Sequence, residues 1–243
     1  SHELRTPISV IKANSETLLT SKLIQDKNAI EFTKAIQSQS ERMATIVNEL
    51  LSISSMESGD YPISLDKLNI KNIVDSALEE LKPMTNKSSI TLVNNLAQCT
   101  NIIGDESAMK IIISNYINNA IKHSPKKSSV VIDCEKVDKD FCRIMVKDNG
   151  SGIAKKYRER VFERFFRVDK GRSKKVGGTG LGLSISKNLA LMMGYTVGVD
   201  SNTPKGSIFY IDVKTDHEAS KEVALTLEIF FCTKPSLIFQ LYA

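Results

Sequence analysis

Tryptophan is absent from the 243 residues, histidine occurs three times, and the four cysteines, Cys99, Cys134, Cys142 and Cys232, show no C-x-x-C spacing. So few imidazoles and thiols, so placed, suggest neither a zinc site nor a disulfide framework, and leave reduced thiols of a cytoplasmic protein as the plain expectation. No apolar run reaches the roughly 18 residues of a membrane span, and no signal peptide is seen. No Walker A, no G-x-G-x-x-G after a strand, and no H-R-D or D-F-G set occurs, which removes the P-loop, Rossmann and serine/threonine-kinase readings. The net charge of +5 is mild and spread along the chain, so no nucleic-acid footprint is expected. What remains is an ordinary balance, 41% apolar and 25% charged, able to bury a core in one large domain or two modest ones.

The first seven residues, Ser1-His2-Glu3-Leu4-Arg5-Thr6-Pro7, concentrate chemistry. Leu4, Ile8, Ile11, Ser15 and Leu18 mark one face of a helix over 2–20, and His2 falls outside that stripe, projecting toward solvent or a partner. A neutral imidazole offers one nitrogen for attack on phosphorus while a carboxylate such as Glu3 orients the other; taken alone, a histidine near a terminus is more often an exposed helix residue. A second helix is expected from Asp26 to Glu57. Its Ile36, Met43, Val47 and Leu50, with Ile46 and Ile53 alongside, fall near a seven-residue repeat. Two helices cannot enclose a core, so the hairpin is expected to pair with a second copy in a four-helix bundle or to dock on the rest of the chain.

Ser58-Gly59-Asp60-Tyr61-Pro62 breaks the helix and marks a domain boundary. Beyond it the pattern predicts extended segments at 63–68 and 90–96, helices at 70–82 and 105–122, a hairpin over 129–137 and 141–147, a helix over 181–193, and strands at 196–200 and 208–214. The fold class expected is α+β, with one layer of helices on one sheet following the hairpin. The domains are then 1–57, a linker at 58–62, 63–214, and an unassigned tail at 215–243.

Three constellations stand out in the second domain. On the helix over 105–122, Met109, Ile113, Ile117 and Ala120 form the buried face, while Asn115, Asn119 and Lys122 share another; asparagine is a poor helix former, so the stripe is either a solvated face or a ligand site. Asp148-Asn149-Gly150-Ser151-Gly152-Ile153 puts a carboxylate at a strand end with bare backbone behind it, suited to an amino group on a flat base, though Asp-Asn-Gly is also a common turn. Gly177-Gly178-Thr179-Gly180-Leu181-Gly182-Leu183 opens a helix with exposed N–H groups that favour phosphate.

In this order the motifs resemble the H-, N-, G1-, F- and G2-boxes of the sensor histidine kinases of two-component signalling, over about residues 1–213. The resemblance implies a dimeric helical-hairpin bundle followed by the two-layer ATP-binding sandwich shared with type II topoisomerases, heat-shock 90 chaperones and mismatch-repair ATPases. It implies phosphorylation of His2, with Glu3 activating the imidazole and Thr6 completing an E-x-x-T pattern associated with phosphatase activity. Asn119 would ligate Mg²⁺ bridging the ATP phosphates, Asn115 would support the metal, and Lys122 and His123 would reach the nucleotide. Asp148 would bind the adenine amine beside Gly150, Gly152 and Ile153; Gly178, Thr179, Gly180, Leu181, Gly182 and Leu183 would take the phosphates. Ala154 to Val176 would be the ATP lid, anchored by Phe162-Glu163-Arg164-Phe165-Phe166-Arg167, with Phe166 near the nucleotide and Arg167 placed for the γ-phosphate. Lys170, Arg172, Lys174 and Lys175 make the lid basic. The implied partners are a response-regulator receiver domain and a second copy of the chain, and the full-length parent would be anchored on the cytoplasmic side of the cell membrane.

Three departures from the family pattern are visible. The chain opens on Ser-His inside what should be a longer helix, so it reads as a fragment lacking its sensor portion. The last glycine motif, Lys205-Gly206-Ser207, is degenerate, and a secondary role is expected for it. The tail beyond Thr215 matches nothing in the family and reads as a foreign extension or a surface-docked segment. An active kinase core, a related ATPase, and an inactive ATP-binding interaction fragment remain the readings to separate.

Overall fold

In the computed structural model, which describes residues 2–20, 27–96, 101–168 and 178–216, helix α1 spans His2–Thr20 and helix α2 spans Lys27–Ser58. Both expected helices are present. They pack antiparallel, tied by Lys12 Nζ to Glu41 Oε1 at 3.7 Å and Gln37 Nε2 to Glu16 Oε1 at 3.5 Å. The hairpin buries Ile8 with the small polar Ser15, Thr33 and Ser40. Its larger apolar residues face outward: Ile11 is 45%, Leu18 48%, Ile36 52% and Met43 54% exposed. Ser15 is accommodated because its hydroxyl donates to the Ile11 carbonyl at 2.9 Å.

The chain divides into two compact units, Ser1–Ile63 with Ile153–Gly194 and Ser64–Gly152 with Tyr195–Ala243. In the first, helix α5 (Gly182–Met192) packs on α2 and on the 3₁₀ turn Arg160–Phe162. Ile53, Met56, Val161, Phe162, Leu181, Ile185 and Leu189 are buried here, and Arg164 pairs with Glu57 of α2. A second 3₁₀ turn, Lys155–Tyr157, precedes it.

Among the described residues the second unit holds seven strands and two helices. Strands β2 (Thr91–Asn94), β4 (Ser129–Lys136), β5 (Phe141–Lys147), β6 (Thr196–Ser201) and β7 (Ser207–Lys214) form one sheet in the order β2-β4-β5-β7-β6, with only β2 and β4 parallel. Alternation sets its faces: Val130, Ile132, Cys142, Ile144, Val146, Phe209, Ile211 and Val213 are buried. The other face carries ion pairs, Arg143 forked onto Asp212 at 2.7 and 2.9 Å and Lys147 on Asp133 at 2.7 Å. Helix α3 (Ile70–Ser88) buries Ile70, Ile73, Val74, Ala77 and Leu81, and α4 (Glu106–His123) buries Met109, Ile113, Ile117 and Ala120, the face its periodicity predicts. Each helix is capped by a side chain: Asn69 accepts from Lys71 N–H at 3.0 Å and Asp105 from Ala108 N–H at 2.8 Å.

Two elements differ from the expectation. The helix expected to stop at Lys82 runs through Pro83 to Ser88. Pro83 forfeits one backbone bond, but buried Leu81 and Thr85 hold the turn, and the Thr85 and Ser88 hydroxyls donate to the Lys82 and Met84 carbonyls at 2.8 and 3.0 Å. A strand, β3 (Asn101–Gly104), pairs antiparallel with β1 (Asp66–Asn69) as a separate two-stranded sheet. At four residues ending in glycine, it carries too little pattern to be read. Cys99, Cys232, the lid cations Lys170, Arg172, Lys174 and Lys175, and the tail beyond Asp216 lie outside the described residues.

Candidate functional site

Asp148 follows directly on β5, whose pairing with β7 brings the β6–β7 turn against it. It is 3% exposed. Its Oδ1 accepts from the backbone N–H of Gly150 at 2.7 Å and of Ser207 at 3.1 Å, and its own N–H donates to the Ser207 carbonyl at 2.9 Å. Burial pushes the carboxyl above its ordinary range, opposed by those N–H groups and by the nearby His123 charge. A side chain at Gly150 would meet the His123 carbonyl at 2.8 Å, so only glycine lets the end of α4 close onto this turn. The bare strip through Gly150 and Gly152 beside an anchored acceptor fits a flat base with an amino group.

Asn115 and Asn119 stand one turn apart on α4, both half-buried, with Lys122 half-buried and His123 exposed at its end. Among the described residues the Asn119 amide makes no hydrogen bond. Among those residues no group of three or more His, Cys, Asp or Glu could hold a metal. An amide oxygen without a carboxylate cage fits a cation that keeps phosphate and water as its main ligands, as Mg²⁺ does.

In the other unit, the glycine loop leads into α5. Leu181 precedes the helix without a side-chain cap, and Thr179 Oγ1 accepts from its N–H at 3.3 Å. Leu181 is fully buried, while Thr179, Gly180, Gly182 and Leu183 are half-buried and Gly178 exposed. The F-box is laced to this loop. Phe165, at a φ of 59°, donates its N–H to the Gly180 carbonyl at 2.9 Å, and Arg167 Nη1 donates to the Gly178 carbonyl at 3.2 Å. Phe166 packs against Tyr157 with the rings tilted at 46° and their centroids 5.8 Å apart, and the Arg160 guanidinium lies 4.3 Å over the Phe166 ring. Ile153 is half-buried at the start of this segment.

His2, Glu3 and Thr6 occupy the first turns of α1; their side chains lie outside the described residues. Sequence reasoning missed Ser207 and undervalued Gly206. Far from secondary, Gly206 lies so close to Asp148 that a Cβ on it would sit 1.9 Å from the Asp148 carbonyl oxygen. Ser207, 4% exposed, supplies one of the two N–H groups on the carboxylate. Their signal was the Gly-Ser step ahead of the apolar alternation of β7.

Residues 104–217 match the family described as histidine kinase-, DNA gyrase B-, and HSP90-like ATPase, and residues 1–59 match the His Kinase A (phospho-acceptor) domain. The chain is 35% identical over 214 residues to the sensor-like histidine kinase SenX3 of Mycolicibacterium smegmatis, covering 88% of this chain and 55% of that one. It is 33% identical over 222 residues to the sensor histidine kinase WalK of Bacillus subtilis, covering 90% and 36% respectively. The structure of full-length ShkA in complex with AMPPNP superposes with a TM-score of 0.73 at 26% identity, over 88% of this chain and 45% of that one. Fold and site thus define an ATPase-type nucleotide domain joined to a phospho-acceptor hairpin. The chain belongs to the sensor histidine kinases of two-component systems. It spans about half the length of SenX3 and about a third of WalK, and among the described residues no helix is long and apolar enough to cross a membrane.

Proposed function

We propose that the chain is the core of an ATP-dependent protein-histidine kinase that phosphorylates His2 and passes the phosphoryl group to an aspartate of a response regulator. The observation that carries the reading is the occurrence, in one chain, of a phospho-acceptor match that includes His2 and an ATPase match that includes the anchored Asp148. Hairpin 1–57, linker 58–62 and nucleotide domain 63–214 are the working parts. In a longer parent they stand on the cytoplasmic side of a membrane.

The carboxylate of Asp148 accepts from the adenine amine, which selects adenine over guanine, while Gly150, Gly152 and Ile153 admit the base. Gly178 to Leu183 offer backbone N–H groups to the phosphates; Lys122, His123 and Phe166 contact the nucleotide, and Arg167 exchanges the Gly178 carbonyl for the terminal phosphate. Asn119, with Asn115 in support, would hold Mg²⁺, which would supply neutralisation of phosphate charge. The free imidazole nitrogen of His2 attacks the terminal phosphorus; a nitrogen–phosphorus bond forms as the bond to the ADP oxygen breaks, and the ring's other proton is held by Glu3. Thr6, three residues beyond Glu3, positions water for hydrolysis of the regulator's phosphoaspartate. Incubation with γ-labelled ATP and Mg²⁺ gives acid-labile, alkali-stable label on the protein, and His2→Gln removes it entirely. Label that survives this substitution overturns the assignment; nucleotide binding without any label favours an inert interaction fragment.

A second copy covers the outward face of the hairpin. Ile36, Met43 and Leu50 recur every seven residues and are all exposed, while the described residues that the hairpin buries between its helices include Ser15, Thr33 and Ser40 beside Ile8. A chain built to stand alone would reverse that assignment. Met43→Glu is therefore expected to weaken the dimer by about 100-fold or more, a buried charge against an apolar seam, without unfolding the hairpin. Sedimentation equilibrium decides it: an unchanged mass distribution removes the dimer through this face.

A further inference from the structure

The adenine reading leaves unexplained what holds the backbone of Asp148, whose carbonyl lies against Gly206 where no side chain could fit. That carbonyl accepts a hydrogen bond from Asn202 Nδ2 at 2.7 Å. Asn202 stands 54 residues further along the chain, in the turn between β6 and β7. Both ends of its amide are committed: Oδ1 accepts from the Thr203 N–H at 3.0 Å, which turns Nδ2 toward Asp148. The opposite amide orientation would set oxygen against oxygen, so the assignment is chemically determined. The Asn202 backbone N–H in turn donates to the Gly206 carbonyl at 3.0 Å, closing the turn that carries Gly206 and Ser207.

The peptide of Asp148 is thus gripped on both sides by one turn, its N–H by the Ser207 carbonyl and its carbonyl by the Asn202 amide. The carboxylate is fixed by Gly150 and Ser207. We propose that Asn202 is a positioning residue for adenine recognition, setting the aim of the Asp148 carboxylate through the Asp148 carbonyl. The inference rests on the reading of Asp148 as the group that meets the adenine amine. It adds a residue that touches no nucleotide and whose effect is confined to one functional group of the base. A side chain needed only for folding would weaken all nucleotides alike; one that aims the carboxylate weakens only those that carry the amine.

Titration calorimetry of the full chain with ATP and with purine riboside 5′-triphosphate, which has hydrogen in place of the amine, separates the two. Asn202→Ala is expected to weaken ATP about tenfold, equivalent to about 1.4 kcal/mol, and the purine analogue less than about twofold. Asn202→Asp keeps an oxygen for the Thr203 N–H, hence the turn, but has no donor for the Asp148 carbonyl; it should lose ATP preference to at least the same extent. Equal weakening of both nucleotides, or none in either variant, overturns the inference. Asp148→Asn is the reference. If it leaves the preference for ATP over the analogue intact, the adenine reading itself fails; if it removes the preference while both Asn202 variants keep it, only the role of Asn202 fails.

Discussion

Gly206→Ala is expected to abolish nucleotide binding and to destabilise the nucleotide domain by about 3 kcal/mol or more. The added Cβ would lie 1.9 Å from the Asp148 carbonyl oxygen, 2.7 Å from its carbon and 3.1 Å from the Asn149 Cα, all backbone atoms that no side-chain rotation can move. Relief requires the β6–β7 turn to withdraw, which breaks the Ser207 N–H bond to the Asp148 carboxylate and the Asn202 bond to its carbonyl. The φ of 128° at Gly206 adds strain that alanine cannot adopt without cost. Gly194→Ala separates strain from collision, because Gly194 also has a positive φ, 77°, yet nothing lies within 4 Å of its Cβ position. That variant should lose only about 1–2 kcal/mol and keep its ATP affinity. Thermal melts and ATP titration of the two variants check the pair; a Gly206→Ala protein that binds ATP normally would mean the turn does not position Asp148.

The legibility of this chain followed sequence distance. The buried face of α4 was readable because Met109, Ile113, Ile117 and Ala120 repeat at the helical period and one element decides them all. Asp148 with Gly150 was readable because donor and acceptor are two residues apart. Ser207 and Asn202 act on the same aspartate from 59 and 54 residues away; the Gly-Ser step marks Ser207 as a turn residue, but nothing local to either names Asp148 as its partner. The register of β5 against β7 makes that contact, since Lys147 opposite Ile208 leaves Asp148 facing Ser207 at the strand end. Register is set by the hydrophobic pattern of whole strands, and a slip of one residue would have put Ser207 on the other face. The degenerate glycine motif was therefore undervalued: one glycine suffices where only one backbone approach is tight.

The hairpin shows the converse. Its seven-residue repeat was legible, but which face would be buried within the chain was not. Apolar residues ordinarily fill the nearest seam, and here, among the described residues, Ser15, Thr33 and Ser40 are buried beside Ile8 while Ile36, Met43 and Leu50 are exposed. In the proposed dimer a second copy would cover Ile36, Met43 and Leu50, and its burial of them would then contribute to the stability of the hairpin.

Asp148→Asn is expected to make the nucleotide-free protein more stable at neutral pH while weakening ATP by about 100-fold or more. The carboxyl titrates above its ordinary range chiefly because it is buried, so the folded state holds its proton more tightly than the unfolded chain does. For an acid shifted upward, that proton stabilises the fold below the ordinary carboxylate pKa, and the contribution is lost as pH rises through the raised value. At pH 7 the wild type therefore carries a charge its fold disfavours. Asparagine keeps an oxygen to accept from Gly150 and Ser207 and removes the charge, so the nucleotide-free variant should melt about 2–4 °C higher at pH 7, with the gap closing as pH falls toward 4. ATP reverses the order. At a hundred times its Kd, ATP adds about 2.7 kcal/mol to the wild type and almost nothing to the variant, whose amide presents a donor where the adenine amine needs an acceptor. Melting curves of both proteins across pH, with and without ATP, test the exchange. A variant less stable than wild type at pH 7 would show that the two N–H bonds outweigh the burial of the charge. An ATP-induced shift of equal size in both would remove Asp148 from adenine recognition.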